Sequence, residues 1–238
     1  DEVELVAHTF ISGADEPDFK AAMADLDHLI ERMNARYALL RRLIKEDRSL
    51  VPEKKVTREL ANRRDLDLWP IYIGMDEAHE PFTNGKDLRK QFEAKLARLE
   101  RKGPAVGITV WKATQRVDDA SIPSTLMAIA PKRVALCLSS PQDNNMILGA
   151  GMYAKGYRAT AFSLADKGVS WVVGDADNPQ ICRWPKIDSG PAEKIFERAR
   201  AERERRGWLS GMAAGEELDP GEDIVSTTIL VDMTAVWP

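Results

Sequence analysis

Between Pro17 and about Glu46, apolar residues fall at Phe19, Met23, Leu26, Ile30, Met33, Tyr37, Leu40 and Ile44, in steps of three and four. That spacing gathers them on one stripe of an α-helix, with Asp, Glu, Arg and Lys on the opposite face. Asp15 is placed to cap this helix, and Pro17 sits in its first turn. At about 1.5 Å per residue the helix would be roughly 45 Å long. The stripe stops after about four heptads, which fits a helix lying on a sheet better than a coiled coil.

Downstream the pattern shortens. A polar connector, Asp47–Leu68, leads to the apolar run Trp69–Met75, expected as a buried strand that ends at Asp76-Glu77. Leu88, Phe92, Leu96 and Leu99 mark a helix over Asp87–Arg101, stopped by Gly103 and Pro104. Val106–Lys112 reads as a second strand, ending at Ala113-Thr114-Gln115-Arg116. A short helix follows at Ser121–Ile129, a third strand at Lys132–Leu138 and a helical turn or two at Gln142–Leu148. Arg158–Phe162, Val169–Val173 and Ile181–Trp184 read as short strands, and Pro191–Arg206 as a charged helix. A Gly- and acid-rich stretch runs to about Asp223, followed by the apolar segment IVSTTILVDMTAVWP. Strands alternating with helices predict an α/β fold with a mainly parallel sheet covered on both faces. Ligands in such sheets bind at the carboxyl ends of the strands, which puts Asp76-Glu77 and Thr114-Gln115 at the active edge.

Composition narrows the function. The chain has 238 residues with 38 acidic and 34 basic side chains, a net charge of −4, so no strongly basic tail advertises nonspecific nucleic-acid binding. Hydrophobic residues at 44% and charged residues at 30% supply a globular core and exclude a wholly disordered chain. No apolar run approaches the ~20 residues of a membrane helix. The opening DEVEL is acidic where a leader would be basic, and no initiator Met is present, so a cytoplasmic fragment of a longer protein is expected. Cys137 and Cys182 make no disulfide framework, and Cys137, inside the apolar run RVALCL, is expected to be a buried thiol. His8, His28 and His79 are far apart in sequence with no ligand spacing for zinc.

The acid pair carries the chemistry. A nucleotide hydrolase needs one carboxylate for Mg²⁺ and another to orient or deprotonate the attacking water. Adjacent acids at a strand terminus supply both from one rigid support. Thr114-Gln115, one strand–helix–strand unit away, offers polar groups for the γ-phosphate or the water. Asp76-Glu77-Ala78-His79 also spells the helicase box DEAH. A helicase of that class would need a second motor domain and an arginine-rich motif downstream, and the sequence has neither.

IYIGMDEAHEPF, GPAVGITVWKATQR and APKRVALCLSSPQDNNMILG resemble the Walker B strand, sensor strand and following strand–helix of the FtsK/SpoIIIE family of DNA-pumping ATPases. SLVPEKKVTRELA, YAKGYRATAFSLADKGVSWVVGDADNPQI and WLSGMAAGE are similar to the FtsK-like transfer proteins of conjugative elements in mycelial bacteria. The resemblance runs from about His8 to Gly215. It implies a RecA-like P-loop NTPase core, ATP and Mg²⁺ as cofactors, and double-stranded DNA threaded through a homo-hexameric ring. Any membrane association would be carried by segments outside this sequence. Residue by residue, Asp76 resembles the Walker B aspartate acting through Mg²⁺. Glu77 resembles the catalytic glutamate and Gln115 the γ-phosphate sensor, with Thr114 beside it at the nucleotide. Arg116 resembles the arginine that opens a DNA-facing pore loop, and Ser139 to Asn145, with Ser140 between them, resemble a second pore loop.

Two departures accompany the resemblance. No G-x-x-x-x-G-K-[ST] occurs, so the motor domain, taken as 1–207, is expected to lack its Walker A segment. Residues 208–238 are expected as a linker towards a further domain. Pro104 stands where relatives often carry an arginine finger, with Arg98, Arg101 and Lys102 as substitutes nearby. A noncatalytic, ATPase-like scaffold protomer for ring assembly or docking is the other reading of the same features.

Overall fold

The computed structural model describes residues 2–13, 15–83, 86–117, 121–163 and 165–216. Helix α1, Glu16–Glu46, is the stripe's helix. Asp15 precedes it in extended conformation, and its N–H donates to the Asp18 carboxylate at 3.2 Å. Phe19, Leu26, Ile30, Met33 and Leu40 are buried as the period predicts, joined by Leu29, Leu43 and Arg36. The connector contains a short helix, α2, at Arg58–Ala61.

Strand β1, Ile71–Met75, is followed by a short helix α3, Glu80–Thr83, and the longer α4, Lys86–Lys102. A 3₁₀ turn at Gly103–Val106 then feeds strand β2, Ile108–Lys112. Gly107 joins turn to strand with φ +78°, a conformation that disfavours any side chain. β1 and β2 pair in parallel, Ile71 opposite Ile108 through Met75 opposite Lys112. Helices α1 and α4 close over this pair through Phe19 stacked on Phe92 at 5.3 Å and Phe82 set edge-on to Phe92 at 5.6 Å. The main core gathers these helices and both strands.

The rest departs from the expected sheet. After helix α5, Ser124–Ile129, the third strand is only Arg133–Ala135 (β3). It pairs antiparallel with β4, Val169–Val173, which pairs antiparallel with β5, Gln180–Arg183. The fold is therefore mixed α/β, a parallel pair and an antiparallel meander, rather than one mainly parallel sheet. The meander has its own small core around Ala135, Leu148 and Ala159, with helix α6, Pro141–Leu148, packed on it. Arg158–Phe162, expected as a strand, is a 3₁₀ turn over Ala159–Ala161. Buried Asn144 takes the place of a strand partner there: its Oδ1 accepts from Ala159 N at 2.8 Å and its Nδ2 donates to Tyr157 O at 3.0 Å. Cys137 lies beyond the end of β3 and is exposed, its thiol donating to Phe162 O at 3.0 Å, so the expectation of a buried thiol is corrected.

Helix α7, Ser189–Arg206, returns to the start of the chain. Buried Arg203 donates to Val6 O, and Arg200 donates to Leu5 O at 3.0 Å. The guanidinium groups of Arg206 and Arg64 both lie over the Trp208 ring, 4.7 and 5.5 Å from its centroid. Met212 N and Ala213 N then donate to His8 O and Ala7 O at 2.8 and 3.2 Å. Residues 208–216 are thus packed, while the segment 224–238 and the rest of the expected linker lie outside the described residues.

Arg36 links α1 to the parallel pair. Its Nη2 donates to Trp69 O at 2.8 Å and its Nη1 to Val106 O at 2.9 Å. Both carbonyls stand two residues before their strands, in matching register. Arg36→Met keeps bulk but orphans both acceptors. At about 1–3 kcal/mol for each unsatisfied buried group, the loss should be roughly 3 kcal/mol. Urea denaturation checks this; a midpoint unchanged from the parent would show that the clamp contributes nothing.

Candidate functional site

Parallel pairing brings the two strand ends together. Ala113 N donates to Met75 O, and Ala78 N donates to Ala113 O, each at 2.8 Å, so the ladder continues past both strands. This places Asp76-Glu77 directly beside Thr114-Gln115. Asp76 is exposed, and its Oδ1 accepts from Glu77 N at 2.9 Å. Glu77 has φ +43°, a left-handed backbone that costs a non-glycine residue energy and recurs at functional turns. That backbone turns the half-buried Glu77 side chain towards β2, where its Oε2 accepts from Gln115 N at 3.4 Å. Thr114 Oγ1 accepts from Arg116 N at 3.1 Å and lies 3.2 Å from Arg116 O, closing a tight turn. The side chains of Gln115 and Arg116 are exposed.

Sequence reasoning overlooked His79. The ring is buried, 4% exposed, with Nδ1 3.2 Å from both Glu77 Oε2 and Thr114 Oγ1. Nε2 lies 3.0 Å from Glu80 Oε1. In the sequence it shows only as the last letter of DEAH, and its place beside Glu77 and Thr114 depends on the turn after β1.

The second candidate pore loop stands elsewhere, at the start of α6. Ser140 caps that helix, accepting from Asp143 N at 3.1 Å, and Ser139 Oγ lies 3.4 Å from Asp143 Oδ2. Asn145 Oδ1 accepts from Tyr153 N at 2.9 Å. These side chains hold local structure together and belong to the meander, not to the strand-end cluster. Among the basic residues near Pro104, Arg98 donates to Asn34 Oδ1 at 3.2 Å, and Lys102 offers its carbonyl to the Tyr37 hydroxyl at 2.7 Å.

An open cavity of about 850 Å³ borders the acid pair. Its walls come from α1, from Ile71, Ile73 and Met75 of β1, from Trp111–Ala113 and from residues 9–13. Asp18, Asp25, Asp76, Glu77 and Glu80 all line it. An exposed carboxylate such as Asp76 suits Mg²⁺, a hard cation that keeps part of its water shell. A triphosphate is less well served. The cavity's one lysine, Lys112, is buried in an ion pair with Glu100, and its Nζ also lies 3.5 Å from Leu126 O.

No protein-family model and no curated protein matches the chain. Solved structures do. The cytoplasmic domain of the Thermomonospora curvata Type VII secretion ATPase EccC aligns over 86% of this chain and 22% of that chain, at 14% identity and a TM-score of 0.53. The pCW3 conjugation coupling protein TcpA, in its monomer form with ATPgS, aligns over 71% of this chain and 49% of that chain, at 18% identity and a TM-score of 0.49. The chain thus spans under a quarter of the first and about half of the second, and the likeness to the first is one of fold.

Two titrating groups flank this region with opposite effects on stability. Burial pushes the Asp25 carboxyl up to about 6, with Thr9 and His28 offsetting part of the shift. The folded chain then holds this proton more tightly than the unfolded chain, so stability falls as pH rises from about 4 through 6. Burial, aided by Arg32 and Arg203, lowers His8 to about 4, so its contribution falls as pH drops from 6.5 through 4. Between pH 4 and 6 the two slopes oppose each other. Asp25→Asn should leave stability unchanged near pH 4 and raise it by about 1–3 kcal/mol at pH 8, exposing the rising slope of His8. Urea melts across pH 4–8 test this; a gain at pH 4 equal to that at pH 8 would contradict it.

Proposed function

We propose that the chain is the core of an ATP-driven motor of the FtsK/SpoIIIE type that moves double-stranded DNA, working as a ring of six copies. One observation carries the reading: Glu77, at the end of β1, meets the Gln115 backbone at the end of the adjacent parallel strand, with Asp76 exposed beside it. The fold shared with a secretion ATPase supports a nucleotide-driven machine of this general kind. In this reading Asp76 would hold Mg²⁺, which would supply charge neutralisation at the phosphates. Glu77 orients the attacking water and takes its proton, and the exposed Gln115 amide reaches the γ-phosphate. Thr114 fixes the turn that aims Gln115 and presents Arg116 to a DNA phosphate, a contact that positions the duplex without reading its sequence. Ser139, Ser140 and Asn145 would present a second surface to the same duplex. These 238 residues contain no G-x-x-x-x-G-K-[ST], so this reading takes the phosphate cradle from elsewhere.

Tests use the chain extended upstream, where this reading places a phosphate-binding segment. Glu77→Gln should lower single-turnover hydrolysis by roughly 10²–10⁴ with little change in ATP affinity, since it removes the base and not a phosphate contact. Asp76→Asn should weaken the Mg²⁺-dependent part of binding as well. Hydrolysis by Glu77→Gln at the parent rate would leave the noncatalytic scaffold as the better account. Arg116→Ala should reduce DNA stimulation and lower the salt slope of DNA binding by about 1. Loss of basal hydrolysis with an unchanged slope would move Arg116 to the nucleotide site.

A further inference from the structure

Thr114 Oγ1, His79 Nδ1 and Glu77 Oε2 form a continuous chain of contacts across the two strand ends, each link 3.2 Å. The chain begins at Arg116, whose N–H and C=O both engage Thr114 Oγ1. It ends on the carboxylate expected to handle the attacking water. We propose that His79 is a positioning residue that couples the Arg116 turn to the orientation of Glu77, so that DNA contact at the turn sets the geometry of hydrolysis. This rests on the reading of Glu77 as the catalytic base.

The proton arrangement follows from the partners. A carboxylate oxygen only accepts, and an unprotonated Nδ1 would set its lone pair against Glu77 Oε2. An Nδ1–H can serve both Glu77 Oε2 and Thr114 Oγ1, leaving the threonine proton for Arg116 O. In this proposal the proton sits on Nδ1, between Thr114 Oγ1 and Glu77 Oε2, while Nε2, 3.0 Å from Glu80 Oε1, makes no hydrogen bond. Burial keeps water from replacing these contacts, and Glu80 Oε1, 3.0 Å from Nε2, borders the ring's other side. Thr114 is the hinge of the relay: a shift of the Arg116 backbone moves the hydroxyl, and with it the donor that holds the Glu77 carboxylate.

Two measurements decide the matter, and the first needs no nucleotide. In the 238-residue chain labelled with ¹⁵N-histidine, long-range ¹H–¹⁵N spectra report which ring nitrogens carry protons, with His79 assigned through its own backbone. A protonated Nδ1 is expected in the parent at pH 8, with its resonance moved in both Thr114→Val and Glu77→Gln. An unprotonated Nδ1, or a resonance indifferent to both changes, overturns the proposal. The second uses the upstream-extended chain. His79→Leu should lower kcat about tenfold and lower the DNA stimulation ratio, with KM for ATP within about twofold. His79→Asn, whose amide can place an N–H near the Nδ1 position, should recover most of both. Equal loss in the two variants, or a change confined to KM, would make His79 merely structural. If the extended chain does not hydrolyse ATP at all, the motor reading fails, and with it the catalytic meaning of the relay, while the tautomer measurement still reports whether the contacts exist.

Discussion

A single guanidinium sets the register on which the candidate site depends. Arg36 reaches from the middle of α1 to Trp69 O and Val106 O, the carbonyls two residues ahead of β1 and β2. Because the two strands enter side by side and have equal length, they also leave side by side. A one-residue slip would turn every strand side chain to the opposite face and move Glu77 away from Gln115. Burying a guanidinium is costly, and burial lowers Arg36 to about 9, with the neighbouring Arg32 adding to the effect. It remains charged at neutral pH, and its two carbonyl partners offset that cost. Arg32, bound to Asp67 at 2.6 Å and lying over the Trp69 ring, fixes the same loop from the next turn of the helix.

This half of the fold was legible because its physics is local. The stripe from Phe19 to Ile44 has one period, and the two apolar runs before DE and TQ are bounded by turn residues. Arg36 itself was not legible, since a basic residue on a helix is normally solvated. The second half failed for a specific reason. RVALCL is apolar enough for a buried parallel strand, but periodicity says nothing about direction of pairing. The partner turned out to be β4, which returns antiparallel and meets only Arg133–Ala135, so Leu136 and Cys137 end up exposed. Residues 158–162 have strand-like composition, yet the side chain of Asn144 supplies the hydrogen bonds a neighbouring strand would have given.

The site was legible to the extent that it lies on the strand ends. Asp76, Glu77, Thr114 and Gln115 follow from the rule that parallel strands present their carboxyl ends to ligands. His79 and the left-handed Glu77 backbone depend on the turn after β1, and turn conformation at a non-glycine residue leaves no mark in composition. Ser140 and Asn145 show the converse. Their sequence shows only a polar loop, and the structure adds that both side chains cap α6 and hold the following turn.

The walls of the cavity limit how any nucleotide could be held. Asp18, Asp25, Asp76, Glu77 and Glu80 line it, and Lys112 is committed to Glu100. A triphosphate placed beside these carboxylates would meet repulsion from them unless a cation intervened. In the proposed reading a Mg²⁺ held by Asp76 would offset part of this repulsion. A second source of positive charge, backbone N–H groups or a basic side chain, must therefore enter from outside the described walls. The same acidity has a constructive consequence. With few fixed cations in the cavity, nucleotide affinity would depend steeply on whatever supplies the cradle, so the strand-end carboxylates could act only once that second element is in place. Under the proposed reading, an acid pair held in register by Arg36 suits hydrolysis that waits on a second phosphate-binding element.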